Sequence, residues 1–203
     1  SGRGILDISE LDYRLSKLSP PGKLHGATLA AELLADTIET NGLILIIGDF
    51  DADGATSTAL AISVLRKMGV DNVDYLVPNR FEFGYGLTPE IVAVAIKKNP
   101  SLIVTVDNGI SSIDGVAAAK AAGISVLITD HHLAGAKLPE AEVIVNPNQP
   151  GCEFVSKNLA GVGVIFYVMS LLRHELEQRD WFLKRKITIP KMAGFLDLVA
   201  LGT

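Results

Sequence analysis

The chain has 203 residues, of which 48% are hydrophobic and 20% are charged. This composition is typical of a globular domain and excludes an intrinsically disordered chain. The formal net charge of −5 argues against a broad nucleic-acid-binding face. A cluster of carboxylates that holds divalent cations would account for part of that charge and would be neutralised when loaded.

The ends of the chain and its cysteine content bear on its location. The N-terminus is polar, with no visible secretion signal, and no apolar run reaches the roughly 18 residues of a membrane helix. The single cysteine, Cys152, cannot form an internal disulfide, which suits a reducing compartment. We therefore expect a cytoplasmic protein with no membrane contact.

Five short apolar runs are predicted to be β-strands, at residues 43–47, 73–77, 102–106, 124–128 and 143–145. Runs that are apolar at nearly every residue indicate strands buried on both faces, as in parallel sheets.

Helical segments are predicted between and after these strands, at residues 26–39, 56–68, 88–98, 112–122, 159–178 and after Pro190. Thr88 is placed to cap a helix that starts at Pro89, and Gly69 and Gly123 are placed as C-terminal caps. The alternation predicts an α/β fold. It is a doubly wound, mainly five-stranded parallel sheet flanked by helices, with a helical C-terminal extension.

The domain organisation follows from these segments. Residues 1–25 are interpreted as an N-terminal segment and linker, 26–150 as the α/β domain, and 151–203 as a helical extension. Because the chain stops within an apolar helical pattern, we expect this extension to lead into further domains.

Charged and polar side chains directly follow three of the predicted strands. They are Asp49, Asp51 and Asp53 after the first strand, Asp107 and Asn108 after the third, and Asp130, His131 and His132 after the fourth. The carboxyl ends of parallel strands meet at one edge of a sheet, so we expect these side chains to lie together.

This set of side chains indicates a metal centre. Crowded carboxylates are costly unless cations neutralise them. Oxygen ligands with one or two imidazoles and no sulfur suit Mn²⁺ or Mg²⁺. Two such ions held together activate water and stabilise the leaving oxygen in phosphodiester hydrolysis.

Each motif also has a simpler interpretation. The aspartates at 49–53 could open an EF-hand loop, but Leu60 occupies the position of the required glutamate. Asp-Asn-Gly alone is typical of a turn, and a histidine pair alone is typical of a loop. A receiver domain would offer no reason for His131 and His132. The three groups together favour the metal centre.

The motifs resemble those of a known superfamily. Residues 130–132 resemble the signature of the DHH phosphoesterases, and residues 49–54 and 106–109 resemble their first and second motifs. Residues 77–82, 84–87 and 159–164 resemble one branch in particular, the single-stranded-DNA exonucleases. The resemblance implies 5′-to-3′ hydrolysis of single-stranded DNA with Mn²⁺ or Mg²⁺ in DNA repair and recombination. It also implies a single-stranded-DNA-binding protein and a helicase as partners.

The same resemblance implies roles for individual residues. Asp51 and Asp53 correspond to ligands of two different ions, Asp107 to a bridging ligand and His131 to a further ligand. His132 corresponds to the residue that faces the scissile phosphate.

The roles of the neighbouring residues stay open. Asp49 ligates a metal or orients the residues beside it, and Asp130 ligates or braces its loop. Asn108 steadies Asp107 or touches phosphate. Arg80 contacts phosphate or is a solvated loop residue.

Two segments downstream also have alternative interpretations. Gly161 and Gly163, at the start of a helix, present backbone amides to a phosphate or allow close packing. The basic residues 184–186 form a DNA-stacking patch or a solvated loop.

Two other functions remain as alternatives. The first is a DHH-type hydrolase of oligonucleotides, cyclic dinucleotides or small phosphoesters, and the second is a non-catalytic scaffold. A fourth acidic motif follows the sequence at 201–203 in the family that the chain resembles. We therefore expect an incomplete ligand set for the second ion and a nearly inactive fragment.

Overall fold

A computed structural model of the chain describes residues 18–79 and 84–203. At its centre lies a fully parallel five-stranded sheet with the order β2-β1-β3-β4-β5. The strands are β1 (Ile44–Gly48), β2 (Val73–Leu76), β3 (Leu102–Val106), β4 (Ser125–Thr129) and β5 (Val143–Val145). This order is doubly wound and reverses direction between β1 and β3, which confirms the predicted fold class.

Helices cover both faces of the sheet. They are α1 (Ala27–Glu39), α2 (Ala52–Lys67), α3 (Pro89–Ile96), α4 (Ile113–Ala121), α5 (Gly161–Gln178), α6 (Trp181–Arg185) and α7 (Leu196–Leu201). Short 3-10 turns lie at Pro21–Lys23 and Met192–Phe195. None of the helices in residues 18–79 and 84–203 is long and apolar enough to span a membrane.

Alternation along the central strands divides the core into two clusters. Ile44 and Ile46 of β1 pack with residues of α1, α2 and α5, whereas Leu45 and Ile47 pack with residues of α3 and α4. Full burial of each such side chain contributes roughly 1.5–3 kcal/mol. Because α5 belongs to the larger cluster, the packing continues across residue 150, and the domain boundary there stays a prediction.

The outer strands differ from the prediction of burial on both faces. Every residue of β1 and β3 is buried, but β2 has an exposed Tyr75 and a half-buried Asp74, and β5 is only partly buried. Lys98 reaches the Asp74 carboxylate at 2.7 Å. Edge strands have a neighbour on one side only, so an apolar run does not ensure full burial.

Local capping explains most helix boundaries. The Thr88 hydroxyl accepts a hydrogen bond from the Ile91 N–H, as predicted, and Gly69 and Gly123 have the positive φ of C-terminal caps. Helix α2 begins at Ala52 rather than at the predicted residue 56. It starts early because the Asp51 carboxylate serves as its N-cap.

Candidate metal centre

The predicted site residues follow strands that are aligned in register. Gly48, Val106, Thr129 and Val145 lie on one line across β1, β3, β4 and β5. The residues that come next are Asp49, Asp107, Asp130 and Asn146. Four adjacent strands therefore deliver a polar side chain at the same edge of the sheet, and the switch point between β1 and β3 lies among them.

The first turn of α2 is built around two aspartates. The buried Asp49 accepts a hydrogen bond from the Phe50 N–H at 2.7 Å, and Asp51 caps α2 by accepting from the Gly54 N–H at 2.9 Å. A Cβ atom on Gly54 would lie 2.6 Å from the Asp49 carbonyl carbon. A glycine at this position is therefore what allows α2 to start so close to the strand end.

Asp53 connects this turn to the N-terminus of α5. Its two carboxylate oxygens accept hydrogen bonds from the N–H groups of Gly161 and Val162, both at 2.7 Å. A helix N-terminus favours such a negative charge. The N–H groups at the start of α5 are thus engaged with Asp53. For Gly161 and Gly163, the structure therefore favours close packing over a contact with phosphate. A Cβ atom on Gly161 would lie 2.6 Å from the Asp107 Oδ1.

Asp107 is the most constrained carboxylate of the centre. It is 1% exposed and has φ of 63°, a left-handed conformation that is uncommon for residues other than glycine. No donor among the described residues reaches its Oδ1 with hydrogen-bond geometry. Burial raises the pKa of Asp107 to about 6, the charge of Asp53 adds to this rise, and the contact with His131 opposes it. A buried oxygen of this kind is costly without a cation.

His131 joins the carboxylates that follow β1 and β3. Its Nε2 lies 3.1 Å from the Asp107 Oδ1 and 3.5 Å from the Asp53 Oδ2. The contact with Asp107 raises the pKa of His131. The predicted ligands from three strand ends are thus in direct contact around one imidazole.

Asp130 braces the loop that carries both histidines. Its Oδ1 accepts from the His132 Nδ1 at 2.7 Å and from the backbone N–H groups of His131 and His132, and its Oδ2 accepts from the Ile110 N–H at 2.8 Å. Burial alone would raise the pKa of Asp130, but the hydrogen bond from His132 and the backbone N–H groups lower it. Of the two alternatives for Asp130, the structure favours the bracing role.

The same hydrogen bond sets the state of His132. Asp130 raises the pKa of His132 to about 9, against the opposing effect of burial. Asp130 therefore favours the protonated ring, with Nδ1 directed to Asp130 and Nε2 directed to the Tyr85 hydroxyl. This arrangement places a cation beside the carboxylate cluster.

Tyr85 is a site residue that the sequence reasoning missed. Its hydroxyl lies 3.3 Å from the His132 Nε2, and burial raises the pKa of the phenol. A cavity of about 450 Å³ opens beside this pair, lined also by residues 109–115. Residues 84–87 carry part of the resemblance to the exonucleases, and this is the signal in the sequence that points to the loop.

Asn108 ties the two central strands together. Its Nδ2 donates to the carbonyls of Ile47 at 3.1 Å and Val106 at 2.9 Å. The buried Oδ1 has no hydrogen-bond partner among the described residues. Both N–H groups are engaged with carbonyls of β1 and β3, so the geometry does not favour a donated bond to phosphate, and the role of steadying Asp107 stays a prediction. Arg80, the other predicted phosphate contact, lies outside the described residues.

The basic residues 184–186 lie far from these side chains. Arg185 stacks on Trp181 at 3.7 Å, and the Trp181 indole donates to the carbonyl of Met68, just beyond the end of α2. Asp51 caps the opposite end of this 16-residue helix, about 24 Å away at 1.5 Å per residue. This basic run is therefore not part of the centre.

The donor set fits divalent cations. Asp49, Asp51 and Asp107 bring ligand atoms within 4.8 Å of one another, and so do Asp107, His131 and His132. Asp107 belongs to both groups, and its predicted role as a bridging ligand stays a prediction. Carboxylate and imidazole donors without sulfur suit Mn²⁺ or Mg²⁺. A cation would also compensate the buried Asp107 Oδ1, which accepts no hydrogen bond of good geometry among the described residues.

These features define the class of the protein: a doubly wound α/β domain with a carboxylate–imidazole centre at its switch point. Residues 43–203 match the family model described as "DHH family, N-terminal domain", and the chain belongs to this family. The predicted resemblance is thereby confirmed.

Relatives and solved structures place the chain within the family. It is 53% identical over its full length to the single-stranded-DNA-specific exonuclease RecJ of Salmonella typhimurium, of which it covers 35%. A crystal structure of exonuclease RecJ bound to manganese is 30% identical, with a TM-score of 0.73 over 89% of this chain and 43% of that one. RecJ from Thermus thermophilus in complex with Mg²⁺ is 25% identical, with a TM-score of 0.59 over 100% of this chain and 23% of that one. The chain thus spans about a third of the curated relative's length.

Proposed function

We propose that the chain carries the catalytic metal centre of a 5′-to-3′ exonuclease that hydrolyses phosphodiester bonds in single-stranded DNA with Mn²⁺ or Mg²⁺. The observation that carries this proposal is the buried Asp107, which belongs to both groups of candidate ligands and whose Oδ1 accepts no hydrogen bond of good geometry among the described residues, with the His131 Nε2 at 3.1 Å. The similarity to RecJ exonucleases supports the substrate and the metals.

The chain's own side chains would divide the binding of two ions. Asp107 would contribute to both, Asp51 and Asp53 to one each, and His131 to one of them. The lone pairs of Asp53 that its two backbone hydrogen bonds leave free would serve a cation. Asp49, buried beside Asp51, would ligate or orient its neighbour. When bound, the ions would offset the charge of the phosphate and lower the pKa of an attacking water.

His132 would act on the phosphate. Asp130 holds its Nδ1 and favours the protonated ring, so Nε2 would donate to a phosphate oxygen as negative charge develops there. Tyr85, within 3.3 Å of Nε2, would orient this donor or contact the same oxygen. The adjacent cavity, of about 450 Å³, would accept part of the nucleotide.

One further ligand would come from chain beyond Thr203. A Cβ atom on Gly202 would lie 3.3 Å from the Asp53 Oδ1, so the segment after α7 runs beside the centre. The family resemblance puts an acidic motif directly after this segment.

The cellular role is proposed from resemblance alone. It consists of DNA repair and recombination in the cytoplasm, together with a single-stranded-DNA-binding protein and a helicase.

The test is digestion of end-labelled DNA, single-stranded and duplex, with Mn²⁺, Mg²⁺ or a chelator. Both the 203-residue chain and a form extended by the downstream region of its relatives would be assayed. We expect the extended form to degrade single strands from the 5′ end, to spare duplex and to stop with chelator. Hydrolysis of dinucleotides or small phosphoesters but not long strands would favour the alternative hydrolase. No hydrolysis of any substrate by the extended form would favour a scaffold.

A further inference from the structure

The loop that follows β5 holds the backbone of the two site histidines. The Asn146 Nδ2 donates to the His132 carbonyl at 2.9 Å, and the Asn148 Nδ2 donates to the His131 carbonyl at 2.6 Å. The Asn146 Oδ1 in turn accepts from the Asn148 N–H at 2.7 Å. The two asparagines therefore form one linked unit against the histidine backbone.

This unit completes the hydrogen bonding of the histidine loop. Asp130 accepts both backbone N–H groups of His131 and His132, and the asparagines donate to both carbonyls. Two residues whose N–H and carbonyl groups are all held in this way have little freedom to shift. The two imidazoles then stand on a rigid base, which is what a preorganised metal and phosphate site requires.

The position of Asn146 indicates why an amide is needed there. It is fully buried and occupies the same register line as Asp49, Asp107 and Asp130. A fourth carboxylate on this line would lack an N–H and would place an oxygen against the His132 carbonyl. An asparagine of the same shape donates instead.

We propose that Asn146 and Asn148 are positioning residues that set the geometry of His131 and His132 toward the metal centre. This inference rests on the proposed function only where metal is concerned. The geometry of the loop is a property of the metal-free chain and can be measured separately.

The decisive variant is Asn146→Asp, which keeps the size and the acceptor oxygen but removes the donor to His132. Charge alone would make this variant bind Mn²⁺ more tightly. Loss of positioning should weaken Mn²⁺ binding by about tenfold or more, as removal of residues that orient metal ligands does. Calorimetric titration of the chain with Mn²⁺, well below its melting temperature, measures the difference.

Asn148→Asp, at a less buried position, is the second variant and should also weaken Mn²⁺ binding. If Asn146→Asp does not fold, the Mn²⁺ affinity of Asn148→Asp tests the positioning role.

Asn72→Asp is the matched control. In the wild type, the Asn72 Nδ2 donates to the Asn41 carbonyl at 2.7 Å. Asn72 lies in a loop before β2, at the opposite end of the sheet from the site. The control should lose a similar bond and keep the wild-type Mn²⁺ affinity.

A second readout separates this inference from the proposed function. In the metal-free chain, the imidazole NMR signals of His131 and His132 should move in the Asn146 and Asn148 variants and stay in place in Asn72→Asp. If the wild-type chain does not bind Mn²⁺, the metal proposal fails and these signals alone decide the positioning role. Unchanged imidazole signals, or Mn²⁺ affinity equal to or higher than that of the wild type in a folded variant, would overturn it.

Discussion

The metal centre and the ion-pair cluster between α1 and α5 are both rich in charge but are built in opposite ways. In the ion-pair cluster, Arg179 contacts Asp36 at 2.6 Å, Glu39 at 2.8 Å and Glu175 at 2.7 Å. These carboxylates raise the pKa of the guanidinium, with Asp36 contributing most. Each charge in this cluster has an opposite charge beside it.

In the metal centre, several carboxylates face one another with two imidazoles and no arginine or lysine among the described contacts. The pKa of Asp107 rises to about 6 because it is buried near other acids. The difference shows how to tell the two kinds of cluster apart. Carboxylates that each contact a guanidinium stabilise the fold, whereas buried carboxylates with no arginine or lysine beside them indicate a site for a cation from solution.

The largest effect should come from Asp107→Asn, since asparagine tolerates the left-handed backbone but removes the charge. We expect Mn²⁺ affinity to fall strongly and hydrolysis by the extended protein to fall by about 10²–10³-fold. The metal-free chain should melt at the same temperature or higher, because an uncompensated buried charge is gone. Calorimetry measures the Mn²⁺ affinity, and thermal unfolding measures the melting temperature. Unchanged Mn²⁺ binding would remove Asp107 from the ligand set.

The two histidines should separate binding from turnover. His131→Ala should weaken Mn²⁺ binding by at least about tenfold, because it removes a ligand. His132→Ala should leave the affinity within about twofold and lower turnover by about 10²-fold, because it removes a donor to the phosphate. Titration and single-turnover kinetics on the two variants test this. Equal loss of metal in both would show that His132 is also a ligand.

Asp130→Asn should lower the pKa of His132 from about 9 toward its ordinary value of about 6.5. Because the folded-state pKa is raised, the interaction stabilises the wild type fully below pH about 6.5 and is lost as pH rises through about 9. The asparagine variant should lack this dependence. NMR titration of the His132 ring and urea unfolding across this range, both without metal, measure it. A His132 pKa that stays near 9 would contradict the pairing.

The smallest effect should come from Arg179→Met, which removes the guanidinium shared by three carboxylates. Exposed ion pairs contribute little, so the free energy of unfolding should fall by about 1 kcal/mol, with Mn²⁺ affinity unchanged. Arg173→Met is the control, because Arg173 contacts only Glu177, at 3.5 Å, among the ion pairs of the described residues. Arg173→Met should lower the free energy of unfolding by less than Arg179→Met does. A change of Mn²⁺ affinity in Arg179→Met would erase the distinction between the two clusters.

The sheet could be predicted because its signal is local. A run such as Leu102–Val106 is apolar at nearly every residue and forms a fully buried strand with the predicted bounds. The exposure of Tyr75 could not be predicted in this way, because it depends on which strand lies at the edge. Strand order is decided by packing between distant segments.

The residues of the candidate site also differ in whether a local sequence pattern predicts them. The carboxylates and histidines were predicted because each directly follows an apolar run. Tyr85 was missed because it reaches His132 across 47 residues, and Asn146 because it acts through a backbone carbonyl. The assignment of metal and phosphate roles stays a prediction that the experiments above address.

The sequence by itself determined which side chains stand at the ends of the central strands, because strand burial and side-chain position are encoded within a few residues. Only the tertiary structure decided how those side chains are held. Asp53 is fixed by amides of α5 that lie 108 and 109 residues away in the chain, and the histidine loop by asparagines that follow another strand. Such contacts form between surfaces that meet only after the sheet and its helices have packed, so no local pattern records them.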